Sequence, residues 1–162
     1  MIFPAWFEMI LQVAFLAAAF CCVLVVLSVI DANHRIVPNR IVLPAAAIAL
    51  VAHTAIDPTL AWLVWALIAS GALFLIVLAY PKGLGMGDVK LALLLGAMLG
   101  ASVTVALMIG LFAALVPAAV LMSRHGASAR KMGVPLVPFL ALGSVVALFF
   151  GDAILDAYLR LF

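Results

Sequence analysis

A chain of 162 residues that is 70% hydrophobic and 9% charged, with a mean hydropathy of +1.46, carries more apolar surface than a water-soluble domain of its size buries. Its formal net charge of +2 is too small to imply a nucleic-acid partner. The expectation is an all-α, polytopic membrane protein, one domain over residues 1–162 built as a bundle of about six transmembrane helices with lipid around it.

Taken in order, the apolar stretches fall at about 6–30, 41–56, 61–80, 89–102, 103–122 and 135–151. The first has neither a basic n-region nor a small-residue cleavage site before a polar chain, so it reads as a retained helix and not a removed signal peptide. It holds the only two cysteines, Cys21 and Cys22, whose adjacency suits neither a disulfide nor a zinc site. The break between the fourth and fifth stretches is marked only by Gly100, Ser102 and Thr104. After Gly151, the tail from Asp152 to Phe162 alternates acidic and apolar positions and is expected to leave the bilayer and lie along the interface.

Arg35 and Arg40 fall in the first connection, Lys82 and Lys90 at the third, and Arg124, Arg130 and Lys131 in the fifth. The positive-inside rule therefore predicts that these connections face the cytoplasm and that both termini lie outside. That topology puts Asp31, at the end of the first stretch, and Asp88, at the start of the fourth, at the same face.

Acidic side chains at the edge of the hydrocarbon are costly, which makes both candidates for function. If they approach each other, two neighbouring carboxyls cannot both ionise readily, and the pair shares a proton. An ionised member can then deprotonate a water while its protonated partner polarises a peptide carbonyl. Such chemistry needs no metal, cofactor or covalent intermediate. The competing reading makes Asp88 a helix cap after a flexible linker. Three glycines, Gly83, Gly85 and Gly87, stand just before it, where backbone without Cβ is expected to take unusual φ/ψ values and to lie against an extended substrate. His34, His53 and His125 are scattered without metal-ligand spacing and read as bystanders.

The run Gly85-Met86-Gly87-Asp88-Val89-Lys90 matches a GxGD-V-K signature, and Asp31 stands seven residues before the pair Pro38-Asn39. A third stretch, from Gly133 through Pro135 and Pro138 to Gly143, leads into the last apolar segment. On these three motifs, in this order, nearly the whole chain resembles the type IV prepilin peptidases, in particular the short form of tight-adherence (Flp-type) pilus systems. The resemblance implies an aspartyl endopeptidase of the bacterial inner membrane with Asp31 and Asp88 as catalytic residues. Gly85, Gly87 and Lys90, together with Pro38 and Asn39, become the expected site-shaping or substrate-binding residues. A prepilin or pseudopilin would be the substrate, and pilus-assembly or secretion machinery the setting. The long members of that family carry a zinc-binding tetracysteine loop and also methylate the new N-terminus. The chain has no such cysteines, so the resemblance implies cleavage without methylation. Two rival readings are an ion-coupled transporter, which intramembrane carboxylates and glycine breaks also suit, and a noncatalytic scaffold of a secretion machine. No convincing internal repeat supports the transporter.

Overall fold

The computed structural model describes residues 5–80, 84–125 and 135–161. Six helices occupy them: α1 (Ala5–His34), α2 (Asn39–Ile56), α3 (Ala61–Ala79), α4 (Met86–Leu99), α5 (Val103–His125) and α6 (Val137–Leu159). By length and apolar character, five stretches are able to cross a membrane, one of them the 39-residue stretch Met86–Arg124. A straight helix of that length would extend about 58 Å, nearly twice a hydrocarbon core. It does not run straight. Gly100 takes φ +55°, a left-handed conformation that favours glycine, and a single 3₁₀ turn, Gly100–Ser102, separates α4 from α5. A Cβ on Gly100 would also meet the Trp62 ring at 2.9 Å, so turn and packing both select glycine.

Contacts across the bundle show that the chain reverses there. At one end, the start of α4 packs on residue Val37, just after α1, and the start of α6 touches Asp31. At the other end, Ser102 lies against Gly151 and donates its hydroxyl to Asp152 Oδ1 at 2.6 Å. Gly110 on α5 then packs on Leu140, near the start of α6. Helix α5 therefore travels back along α6, and the expected break near Gly100 is where the structure has it.

The short α4 is the centre of the bundle, in contact with α2, α3, α5 and α6, and every residue from Leu94 to Gly100 is buried. Close approach depends on small residues, as it does wherever helices associate without a hydrophobic gradient. Gly96 sits on the backbone of Trp65 and Ala66 in α3, and Gly143 of α6 sits on Ala106 and Gly110 of α5.

Two boundaries differ from the sequence expectation. Helix α1 continues through Asp31 to His34, so Asp31 lies inside the helix and not after it. The polar residues 31–34 stay helical because the backbone ladder needs no apolar side chains, and the end comes at Arg35, whose φ of +54° closes an N–H to the Asp31 carbonyl at 2.8 Å. Likewise α6 does not break at Gly151 but runs on to Leu159, with Asp152 tied to Ser102 in the turn before α5. The connection at residues 57–60 matches its expected position. Lys82, Gly83, Arg130, Lys131, Gly133 and Val134 lie outside the described residues.

Candidate active site

One end of the bundle gathers the motifs that are far apart in the chain. Asp31 is one helical turn from the end of α1 and only 6% exposed, whereas Asp88 is the third residue of α4 and half-buried. The two carboxyls lie within electrostatic reach of each other. Each is held through its Oδ2 by one backbone N–H. Asp88 Oδ2 accepts from Gly85 at 3.1 Å, and Asp31 Oδ2 accepts from Val137 at 3.2 Å. Among the described residues, Oδ1 of each has no hydrogen-bond partner. One oxygen of Asp88 thus caps the N-terminus of α4, as the capping reading expects.

The glycines act differently from the sequence expectation. Gly85 has extended backbone, φ −88° and ψ 153°, and Gly87 is an ordinary helical residue, so neither needs a conformation reserved for glycine. What Gly87 supplies is proximity. A Cβ there would stand 2.8 Å from Val37 Cβ and 2.9 Å from Val37 Cγ2, closer than carbon atoms pack. The missing side chain lets the first turn of α4 rest on the segment that follows Asp31.

A second link joins the same two segments. Lys90 Nζ donates to Asn39 Oδ1 at 2.8 Å, across 51 positions of sequence. Pro38, with φ −73°, is the N-cap of α2, and its carbonyl accepts from Ile41 and Val42, which starts α2 immediately beyond the connection. Pro38 and Asn39 therefore fix the start of α2, and Lys90 ties that start to α4. Its charge makes Lys90 a topological anchor in the sequence and the family resemblance makes it site-shaping, but its partner Asn39 is visible only in three dimensions. Val37 and the Val137 N–H are the site groups that sequence reasoning missed.

His34 is exposed at this end, while His53 stacks on Trp62 at the other, with ring centroids 4.0 Å apart. The side chain of His125 is not among those described. Among the described residues, no three His, Cys, Asp or Glu side chains gather in one place. Cys21 and Cys22 sit within α1 and do not provide the four thiolates of a zinc loop.

The sequence pattern of the type IV leader peptidase family matches residues 18–123, a span that contains Asp31, Pro38, Asn39, Gly85, Gly87, Asp88 and Lys90. The chain belongs to the type IV leader peptidase family. Curated relatives agree with this family assignment. The chain is 33% identical over 152 residues to a prepilin leader peptidase/N-methyltransferase of Bacillus subtilis, covering 91% of this chain and 60% of the relative. It is 30% identical over 146 residues to the protein of that name in Pseudomonas aeruginosa, with 85% of this chain and 50% of the relative covered. For the Xanthomonas campestris protein of that name, the identity is 28% over 159 residues, covering 89% and 53%. The chain thus spans 50% to 60% of the length of the curated relatives it matches. No solved structure matches it. Val137, which holds Asp31, lies beyond the part matched by the family pattern.

Proposed function

We propose that this chain is an intramembrane aspartyl endopeptidase that removes the basic N-terminal leader of type IV prepilin-like substrates, of the Flp pilin or pseudopilin kind, at the cytoplasmic face of the inner membrane. Asp31 and Asp88 are its catalytic pair. The observation that carries this reading is the convergence of the two carboxyls at one end of the bundle, each anchored by one oxygen and, among the described residues, without a partner at the other. In the reaction, the ionised member takes a proton from water as the water oxygen attacks the scissile carbonyl. The protonated member gives its proton to the carbonyl oxygen, and the roles reverse as the amine leaves. Lys90, Asn39 and Pro38 keep the starts of α2 and α4 in register around the pair, and Gly85 and Gly87 shape the approach to Asp88.

The relatives' second named activity, methyl transfer, is not assigned to these residues. The reading that they cleave without methylating is supported by a cysteine content of two, both in α1, which cannot form a tetracysteine loop. The cytoplasmic placement is supported by Arg35, Arg40, Lys90 and Arg124 at the Asp31 end, against Arg160 alone among the described basic residues toward the other. Pilus-assembly or secretion machinery is then the natural neighbour of the enzyme.

Co-expression with each prepilin-like protein of the same genome, followed by mass determination of the substrate N-terminus, tests reaction and substrate together. The expected product lacks the basic leader and carries no added methyl group. Intact precursors in every pairing would leave the reading without support. Cysteines introduced at Ala32 and Leu84 test the orientation: both should react with a thiol reagent only when it can enter the cytoplasm. Labelling from the periplasmic side would invert the topology and remove the cytoplasmic site.

A further inference from the structure

The first turn of α6 has an unusual donor account. Helix starts leave their first N–H groups without intrahelical acceptors. Here Pro138 has no N–H, and those of Phe139 and Leu140 both go to the Leu136 carbonyl, at 3.1 and 3.0 Å. That leaves the Val137 N–H as the donor of this turn that reaches outside the helix, and its acceptor is Asp31 Oδ2, 106 positions earlier in the chain. Val137 is itself fully buried and Asp31 nearly so, and α6 packs along α1, so the contact sits inside a fixed helix pair.

The geometry points to the backbone N–H of Val137 as the positioning group for the Asp31 carboxyl, which it orients so that the free Oδ1 faces the reacting water. This inference rests on the proposed peptidase reading. Rotation about the last torsion of an aspartate is broad and roughly two-fold, so packing alone defines the plane of the carboxyl poorly. One directed N–H bond to one oxygen defines it. Asp88 is held in the same way by the Gly85 N–H, but that donor comes from the start of its own helix. The dyad therefore consists of two aspartates each steered by an amide at a helix start. Of these two bonds, the one to Asp31 reaches the last helix.

The test separates the N–H from the side chain that bears it. Cell-free synthesis into nanodiscs with nonsense suppression can place the α-hydroxy analogue of valine at position 137, which replaces the amide by an ester and keeps the isopropyl group. Val137→Pro also removes the N–H, but it puts a proline after Leu136, whose ψ of −31° lies in the α region that a following proline disfavours, so its loss counts only beside that of the ester. Val137→Ala retains the N–H and removes buried methyl groups. The ester and Val137→Pro should each lower kcat by about ten- to a hundredfold, the scale of a small misplacement of a catalytic group, with KM changed far less. Val137→Ala should lose kcat far less than the ester does, even though its thermal transition falls. Wild-type kcat in the ester, or a loss in Val137→Ala as large as in the ester, overturns the inference. A readout independent of cleavage is the infrared band of the Asp31 carboxyl, obtained by subtraction of Asp31→Asn. It should shift in the ester and stay in place in Val137→Ala, and an unshifted band in the ester also overturns the inference. If the wild-type chain cleaves no prepilin while the band shifts as expected, the peptidase reading fails and the Asp31 contact stands.

Discussion

Asp31→Asn and Asp88→Asn are each expected to abolish leader cleavage while the proteins insert and accumulate as the wild type does. The structure gives a specific reason for the second half of that expectation. Among the described residues, each carboxyl accepts one hydrogen bond, from Val137 or from Gly85, and an asparagine side-chain oxygen can accept the same bond. What asparagine cannot do is take a proton from water and return it. Groups that act as one unit are strongly non-additive, so the double variant should be hardly worse than either single one. Asp31→Glu and Asp88→Glu should lose about a hundredfold, because an added methylene displaces the carboxyl by roughly an ångström. The check is intact-mass analysis of the prepilin beside a thermal transition of each purified variant. Activity retained in either asparagine variant would make that residue a cap, and the shared-proton mechanism would not survive it.

The fold was largely legible in the sequence because a membrane asks for long apolar runs, and six such runs stand between short polar breaks. Even the weak break at Gly100 was readable, since glycine and small hydroxyl residues interrupt an otherwise unbroken apolar stretch. Helix ends were less legible. Residues 31–34 and 152–159 are polar or mixed, and hydropathy locates where the bilayer ends, whereas the backbone ladder continues beyond it. The residues of the candidate site were legible as motifs, but not the contacts among them. Gly87 looked like a residue chosen for unusual φ/ψ, and its function became visible only when Val37 appeared 2.8 Å from its absent Cβ. Lys90 is legible as a charge at a membrane face and, through the family motif, as a site-shaping residue, but its partner Asn39 is not. The Val137 N–H has no signature of its own, because every residue except proline carries one. Pro138 was the one available hint, in that it marks the start of a helix and removes a competing donor.

The close approach of Gly87 and Val37 leads to a prediction that tells proximity apart from substrate contact. Gly87→Val should reduce cleavage by about a hundredfold or more, because a branched side chain there would push the first turn of α4 off the segment after α1 by roughly an ångström and carry Asp88 with it. Gly87→Ala should show the same effect more weakly. Val37 has little freedom to yield, since it precedes Pro38 and the residue before a proline is sterically restricted. The contact is with Val37 Cβ as well as Cγ2, at 2.8 and 2.9 Å. Val37→Ala, which keeps the Cβ, should therefore relieve Gly87→Ala only in part, whereas Val37→Gly should restore most of its activity. Restoration by a change on the opposite segment is expected only if the two backbones themselves must meet. Should Val37→Gly leave Gly87→Ala as impaired as before, with both proteins folded by their thermal transitions, the glycine would face the substrate directly, and the distance between Asp31 and Asp88 would be set by other contacts, with the Lys90–Asn39 bond the first to test.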